Sequence, residues 1–198
     1  MTLRWPILLG ILAGFAAVIL GLRIGDGSVE QWGLAARWTA RVGFPLLIAA
    51  YVARPLVQLW PSPFAKGMLL RRRWIGLGFA ASHTVHLVAL TMAQTVAGRS
   101  PSLPTLVGGG GAYVMLYLMA LTSNDAAMQA LGKWWKRLHR VGIHWLWFVF
   151  AFSYLGRIFD PQRATIGYLF FPIAMGAALI RFLAWRQSRS KRAVAQIG

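Results

Sequence analysis

Four histidines are the residues of this chain best suited to chemistry, and all four lie in two short segments. His83 and His86 stand in Ala81-Ser82-His83-Thr84-Val85-His86-Leu87, and His139 and His144 in Lys136-Arg137-Leu138-His139-Arg140-Val141-Gly142-Ile143-His144-Trp145. Both segments run into apolar stretches. An ionisable side chain at bilayer depth is costly, so each of these histidines is a candidate for function. The plainer alternative is a neutral imidazole that hydrogen-bonds between helices. For His139, set among Lys and Arg, the plainer alternative is simple solvation.

Paired imidazoles at equal depth on neighbouring helices are what a b-type heme requires of a membrane bundle. His86 lies thirteen residues before Arg99, and His144 lies thirteen before Arg157. At about 1.5 Å per residue each sits roughly 20 Å inward of its arginine, so His86 and His144 form the first pairing. His83 and His86 are about 60° apart around one helix and about 4.5 Å apart along it. That spacing favours one heme, with His83 and His139 as alternate ligands, supporting partners or propionate contacts. Arg37 and Arg41, an i, i+4 pair, and Arg157 are candidate propionate partners. Their other reading is snorkelling to the headgroups.

The elements that must position these residues are membrane helices. The chain has 198 residues, 58% of them hydrophobic and 13% charged, with four Asp or Glu and a net charge of +17. A soluble domain carries about a quarter charged residues. The basic residues form short clusters between apolar runs rather than one solvated face, which argues against a nucleic-acid partner. Cysteine is absent, which excludes disulfides, thiolate ligands and c-type heme attachment.

About six spans are expected, near residues 5–22, 32–60, 74–97, 106–121, 141–154 and 166–185, in one all-α transmembrane domain covering 1–198. Residues 61–73 read as a connector. Residues 123–140, with Trp134 and Trp135, read as a helix lying in the interface. Gly108 to Gly111 read as a site of close helix contact. With the N-terminus inside, fourteen Lys and Arg fall on inner segments and four on outer ends, leaving aside Arg37, Arg41 and Arg54 within the second span. The positive-inside rule then makes both termini cytoplasmic in a multi-pass membrane protein.

The run from Arg72 to Leu87, followed by Leu121-Thr122-Ser123-Asn124 and Lys136-Arg137-Leu138-His139-Arg140, resembles the ferric-reductase-like transmembrane domain. That family includes the heme-binding membrane subunit of bacterial methionine-sulfoxide reductase systems and, more distantly, NADPH oxidases and STEAP-type metalloreductases. The resemblance covers about residues 45–185. It implies that His86 matches the family's third-helix heme histidine, and that His139 matches the histidine of its Lys-Leu-His-Arg-like motif. The family commonly carries a further histidine about thirteen residues on, where this chain has Phe152. The fifth-span ligand therefore stands open between His139 and His144.

The resemblance implies a b-type cytochrome that serves as the electron-transfer component of a membrane oxidoreductase system. Electrons would pass from a quinol or flavoprotein donor to a separate acceptor or reductase partner. FMN or a quinone is a further cofactor that the family admits, and membrane lipid is the surroundings. No GxGxxG fingerprint is present, so a flavin or reductase domain is expected on another chain. The competing expectation is a non-redox transporter or a metal-binding membrane protein. His-x-x-His on a helix could hold zinc or copper, although no carboxylate lies in the third or fifth span.

The charge asymmetry yields a direct test of topology. Reporter fusions near Pro101 are expected to read as outside, and fusions at Ala127 or the C-terminus as inside. An outside C-terminus contradicts the six-span arrangement.

Overall fold

The computed structural model describes the backbone of residues 4–194 and side chains through Ser190. Lys191 and Arg192 of the basic tail have side chains outside the described residues. The described chain is helical, with no strand. Its elements are α1 (Trp5–Ile24), α2 (Gly27–Leu59), α3 (Pro63–Val96), α4 (Leu103–Leu121), a short α5 (Asp125–Leu131), α6 (Lys133–Ile158) and α7 (Ala164–Val194). All but α5 contain a stretch long and apolar enough to cross a membrane.

Two boundaries differ from the sequence expectation. The connector 61–73 is mostly helix, because Ser62 caps α3 by accepting the Ala65 amide at 3.2 Å and Pro63 sits in the first turn. Arg71 to Arg73 thus ride on the N-terminal half of α3. The expected interfacial helix is divided. Asn124 caps α5 by accepting the Ala127 amide at 2.7 Å. Gly132, at φ +48°, then turns the chain directly into α6. Trp134 and Trp135 therefore belong to the first turn of a membrane helix, where the Trp135 indole N–H donates to the Thr122 carbonyl at 2.8 Å.

The bundle is built around α2, which packs against α1, α3, α6 and α7. Pro45 and Pro55 interrupt its hydrogen-bond ladder. Pro55 has no N–H to give the carbonyl four residues back, which is that of Tyr51. Arg181 of α7 supplies the donor, Nη1 to the Tyr51 oxygen at 2.8 Å. A freed carbonyl at membrane depth needs such a partner, so this arginine ties α7 to α2.

The closest helix contacts do not fall at Gly108 to Gly111. That run forms a π-helical turn, and a Cβ placed on Gly108, Gly109 or Gly110 meets open space. They fall where Gly10 of α1 faces Gly78 of α3, backbone against backbone, and where Gly21 faces Ala35. Small residues at these crossings allow van der Waals contact that lipid cannot supply. The outward faces carry Leu8, Leu12, Phe15, Ile19, Phe148 and Leu169 in exposed positions, as lipid contact requires.

A Cβ on Gly78 meets the Pro6 carbonyl, whereas one on Gly76 meets nothing. Gly78→Val is therefore expected to cost about 1–3 kcal/mol, the usual range for overpacking. Gly76→Ala, two residues away, is expected to be neutral or slightly stabilising. Thermal unfolding in detergent distinguishes the two, and equal midpoints would refute the close crossing.

Candidate functional site

Thr39 is fully buried in the middle of α2. Its hydroxyl has one proton, which it donates to the Ala35 carbonyl at 2.7 Å, with the Ala36 carbonyl at 3.0 Å. This back-bonding is what a threonine does inside a helix. The oxygen is then left as an acceptor, and His86 Nδ1 lies 2.9 Å from it. With the hydroxyl proton on the Ala35 carbonyl, the Nδ1–H of His86 is the donor. That fixes the imidazole in the tautomer whose Nε2 lone pair is free. Among the described residues nothing hydrogen-bonds that Nε2. An imidazole held in this way is prepared to ligate a metal.

His83 stands one turn inward on α3. Its ring lies over Gly43, where any Cβ would collide with it, and packs 4.2 Å from Phe79 and 5.3 Å from Phe150 between centroids. It is 5% exposed, and its Nδ1 has no partner. The two histidine rings are 5.2 Å apart.

Both histidines line one cavity of about 250 Å³, bounded by α2, α3, α4 and α6 and open to the outside of the bundle. Small residues make the room: Ala36 and Ala40 on α2, Gly109 and Ala112 on α4. On α6 the wall is Leu146, Val149, Phe150 and Ser153. Arg37 and Arg157 also line the cavity, and Arg41 joins them in an adjoining recess with Tyr154. Arg37 is steadied by the Gly33 carbonyl at 3.0 Å, and Arg157 by the Ser153 carbonyl and hydroxyl at 2.9 and 2.6 Å. None of the three has a carboxylate partner among the described residues, where the ion pairs are Arg73–Asp125 and Arg163–Asp160. Cations gathered at one end of a cavity without a counter-ion form an anion site.

The structure thus brings together His83, His86, Arg37 and Arg157, with Arg41 beside them. It does not bring His144 to them. Residue 144 is nine positions before Ser153, half a turn around α6 at 100° per residue, so it faces away from the cavity. His144 Nδ1 is 3.0 Å from the Tyr51 hydroxyl and its Nε2 is 3.4 Å from Arg181 Nη2. Since the guanidinium only donates, Nε2 accepts and Nδ1–H donates to Tyr51. The pairing of His86 with His144 fails in depth as well as in direction: His86 meets Thr39 and His144 meets Tyr51, twelve residues or about 18 Å further along α2. His139 is on the cavity side of α6, but it lies seven residues inward of Leu146, about 10 Å. There it stacks on Trp135 at 4.0 Å and approaches the Ser123 hydroxyl at 3.4 Å.

Sequence reading passes over Thr39, Tyr113 and Ser153. A single threonine in an apolar run carries no signal beyond helix back-bonding. Its value appears only when α3 is laid against α2. Tyr113, on the α4 wall of the cavity, has a buried hydroxyl without a partner. Among the described residues no three of His, Asp and Glu gather into a metal-binding group.

No family model and no solved structure matches this chain. Curated relatives do. The protein-methionine-sulfoxide reductase heme-binding subunit MsrQ of Cronobacter sakazakii is 28% identical over 170 residues, which is 78% of this chain and 76% of that protein. The subunit of the same name from an Enterobacter species is 25% identical over the same shares. That of Salmonella paratyphi B is 26% identical over 76% of each chain. The resemblance carried by the motifs of α3 and α6 thus extends along three quarters of the chain, which is similar to the heme-binding subunits of bacterial protein-methionine-sulfoxide reductases.

Proposed function

We propose that this chain is an integral membrane cytochrome: it holds one b-type heme in the cavity between α2, α3, α4 and α6 and passes electrons to a separate reductase partner. The observation that carries this reading is the His86 imidazole, its Nδ1–H given to Thr39 and its Nε2 free at the cavity wall. A ligating histidine almost always donates its second N–H to a fixed acceptor, and His86 has one whereas His83 Nδ1 has none. His86 is therefore the iron ligand, and His83 is a neutral neighbour packed over Gly43.

The donor set fits the group. Heme needs an imidazole nitrogen, an apolar slot and cations for two propionates. The cavity offers His86, then Leu146, Val149 and Phe150, then Arg37 and Arg157, with Arg41 adjacent. Heme supplies reversible one-electron chemistry when bound. The chain's own part is to hold it at a fixed depth, exclude water with apolar walls and offset propionate charge with arginines that have no carboxylate partner. The relatives' description as heme-binding subunits supports both the cofactor and a separate catalytic partner. In this reading the donor is a quinol or a cytoplasmic flavoprotein, the protein sits in the bacterial inner membrane, and both termini are cytoplasmic.

The test is optical. Purified protein reduced with dithionite is expected to show heme Soret and α bands. His86→Ala is expected to lose at least about nine-tenths of the heme, since a lost ligand leaves no tight axial bond. His144→Ala is expected to keep it, because His144 faces Tyr51 and Arg181. Arg157→Gln is expected to retain heme with a lowered midpoint potential, since a nearby cation favours the reduced iron. Heme retained in His86→Ala, or lost in His144→Ala, would overturn this ligand assignment.

A further inference from the structure

Helices α6 and α7 form an antiparallel hairpin, closed by the turn around Asp160. Its register is set where the Trp147 indole N–H donates to the Ala174 carbonyl at 2.8 Å. Counted from Trp147 at 100° per residue, Arg140, Lys136 and Lys133 lie within about 40° of the same face of α6. Counted from Ala174, Arg181 and Trp185 lie within about 20° of the facing side of α7. Arg140 and Arg181 are therefore opposite each other, each about 25 Å from the hairpin turn. That places them near the far boundary of a hydrocarbon core about 30 Å thick. Arg181 is anchored there, with Nη1 on the Tyr51 carbonyl at 2.8 Å, the guanidinium 4.3 Å over the Tyr51 ring and Nη2 3.4 Å from His144 Nε2. No acid answers these cations. Residues 126–159 and 161–198 contain no Asp or Glu, and Asp125 and Asp160 already pair with Arg73 and Arg163. Lys136 and Arg140 repel each other at i, i+4, and Arg181 adds a third positive charge across the seam.

We propose that the open end of the α6–α7 seam binds one anionic phospholipid, whose headgroup phosphate bridges Arg140 and Arg181. Guanidinium groups suit phosphate oxygens, and basic pockets between membrane helices take anionic headgroups. The surface around the pair selects a lipid over a free anion. Val141 and Phe148 on α6 and Met175 and Leu179 on α7 are exposed and continue toward the hairpin turn, the surface that acyl chains require. Trp185 is exposed on the other side of Arg181, with Arg189 stacked on it at 4.7 Å, in the place that tryptophan takes at headgroup level. The bound phosphate supplies the negative charge that the sequence withholds from this seam. It holds α6 against α7 and leaves Arg181 on the Tyr51 carbonyl. The site lies on the side of α6 away from the cavity and is independent of the heme reading.

Native mass spectrometry of the full-length protein in detergent reads the bound lipid directly. The protein is titrated with phosphatidylglycerol, with phosphatidylcholine and, in competition, with inorganic phosphate. One phosphatidylglycerol is expected to be retained in preference to phosphatidylcholine. Arg140→Gln is expected to weaken that binding about fivefold, the effect of one cation lost beside an anionic headgroup. Arg140 is exposed, so this variant leaves the Arg181 brace on α2 in place. Lys66→Gln removes an equal charge from an exposed position on α3, at the same end of the bundle but outside the seam, and is expected to bind as the unaltered protein does. Equal binding by Arg140→Gln and Lys66→Gln overturns the proposal, since attraction to anionic lipid would then be diffuse or absent. Phosphatidylcholine bound as tightly as phosphatidylglycerol also overturns it. Displacement of the lipid by millimolar inorganic phosphate overturns it in favour of a site for a free anion.

Discussion

Thr39 cannot leave its hydroxyl proton unpaired in the middle of a membrane helix, and this small constraint fixes the chemistry of the site. The proton goes back to the carbonyl of Ala35, the oxygen becomes an acceptor, and His86 meets it with Nδ1–H. What suits His86 to the proposed ligand role follows from that contact. Its tautomer is set, its ring is held and its Nε2 is left for the cavity. The contact requires α2 and α3 to lie close, and glycines and alanines secure that approach. Gly43 admits the His83 ring, and Ala35 and Ala36 pack with Ala89. Gly10 lets α1 brace the inner half of α3 at Gly78.

The second constraint is positive charge without negative. Four acidic residues serve a chain with 21 Lys and Arg, and two of the four, Asp125 and Asp160, pair with Arg73 and Arg163. The arginines near the bundle interior must find other acceptors. Along the C-terminal half of α2 they find backbone carbonyls: Arg72 bonds the Ala50 oxygen at 2.9 Å and Arg181 the Tyr51 oxygen freed by Pro55. These bonds pin α3 and α7 to α2. Along the N-terminal half of α2 Arg37, Arg41 and Arg157 gather around Ser153 and Tyr154. They use only part of their donor capacity on carbonyls and the Ser153 hydroxyl, which leaves guanidinium edges for an anion. The same residue type thus braces the bundle at one end and equips the cavity at the other.

The sequence makes the helices legible because apolar length is a one-dimensional quantity. The six spans follow from it, and their errors are confined to capped ends such as Ser62-Pro63 and the Gly132 turn. Depth is not: counting thirteen residues to Arg99 and to Arg157 matches His86 with His144, yet His86 meets Thr39 and His144 meets Tyr51, about 18 Å apart along α2. Nor is direction around the helix. The wheel of α6 sets His144 and Ser153 half a turn apart, but which of the two faces the cavity depends on how α6 packs between α4 and α7. Tyr51 and Arg181 decide it by taking both nitrogens of His144. Nor is Thr39 legible, because its partner is 47 residues away on another helix. The glycine run at 108–111 is legible only in part. Trp145 of α6 meets Gly111 and donates its indole N–H to the Gly108 carbonyl at 3.3 Å, while Gly109 opens onto the cavity.

The central claim is that His86 holds iron through Nε2 while Thr39 holds Nδ1. Resonance Raman spectroscopy of the ferrous holoprotein tests this most directly, since it reads the iron–histidine stretching band. The account predicts one such band that moves to lower frequency in Thr39→Val, because an imidazole that loses its hydrogen-bond acceptor becomes a weaker base toward the metal. A band identical in Thr39→Val, or one that persists in His86→Ala, would contradict it.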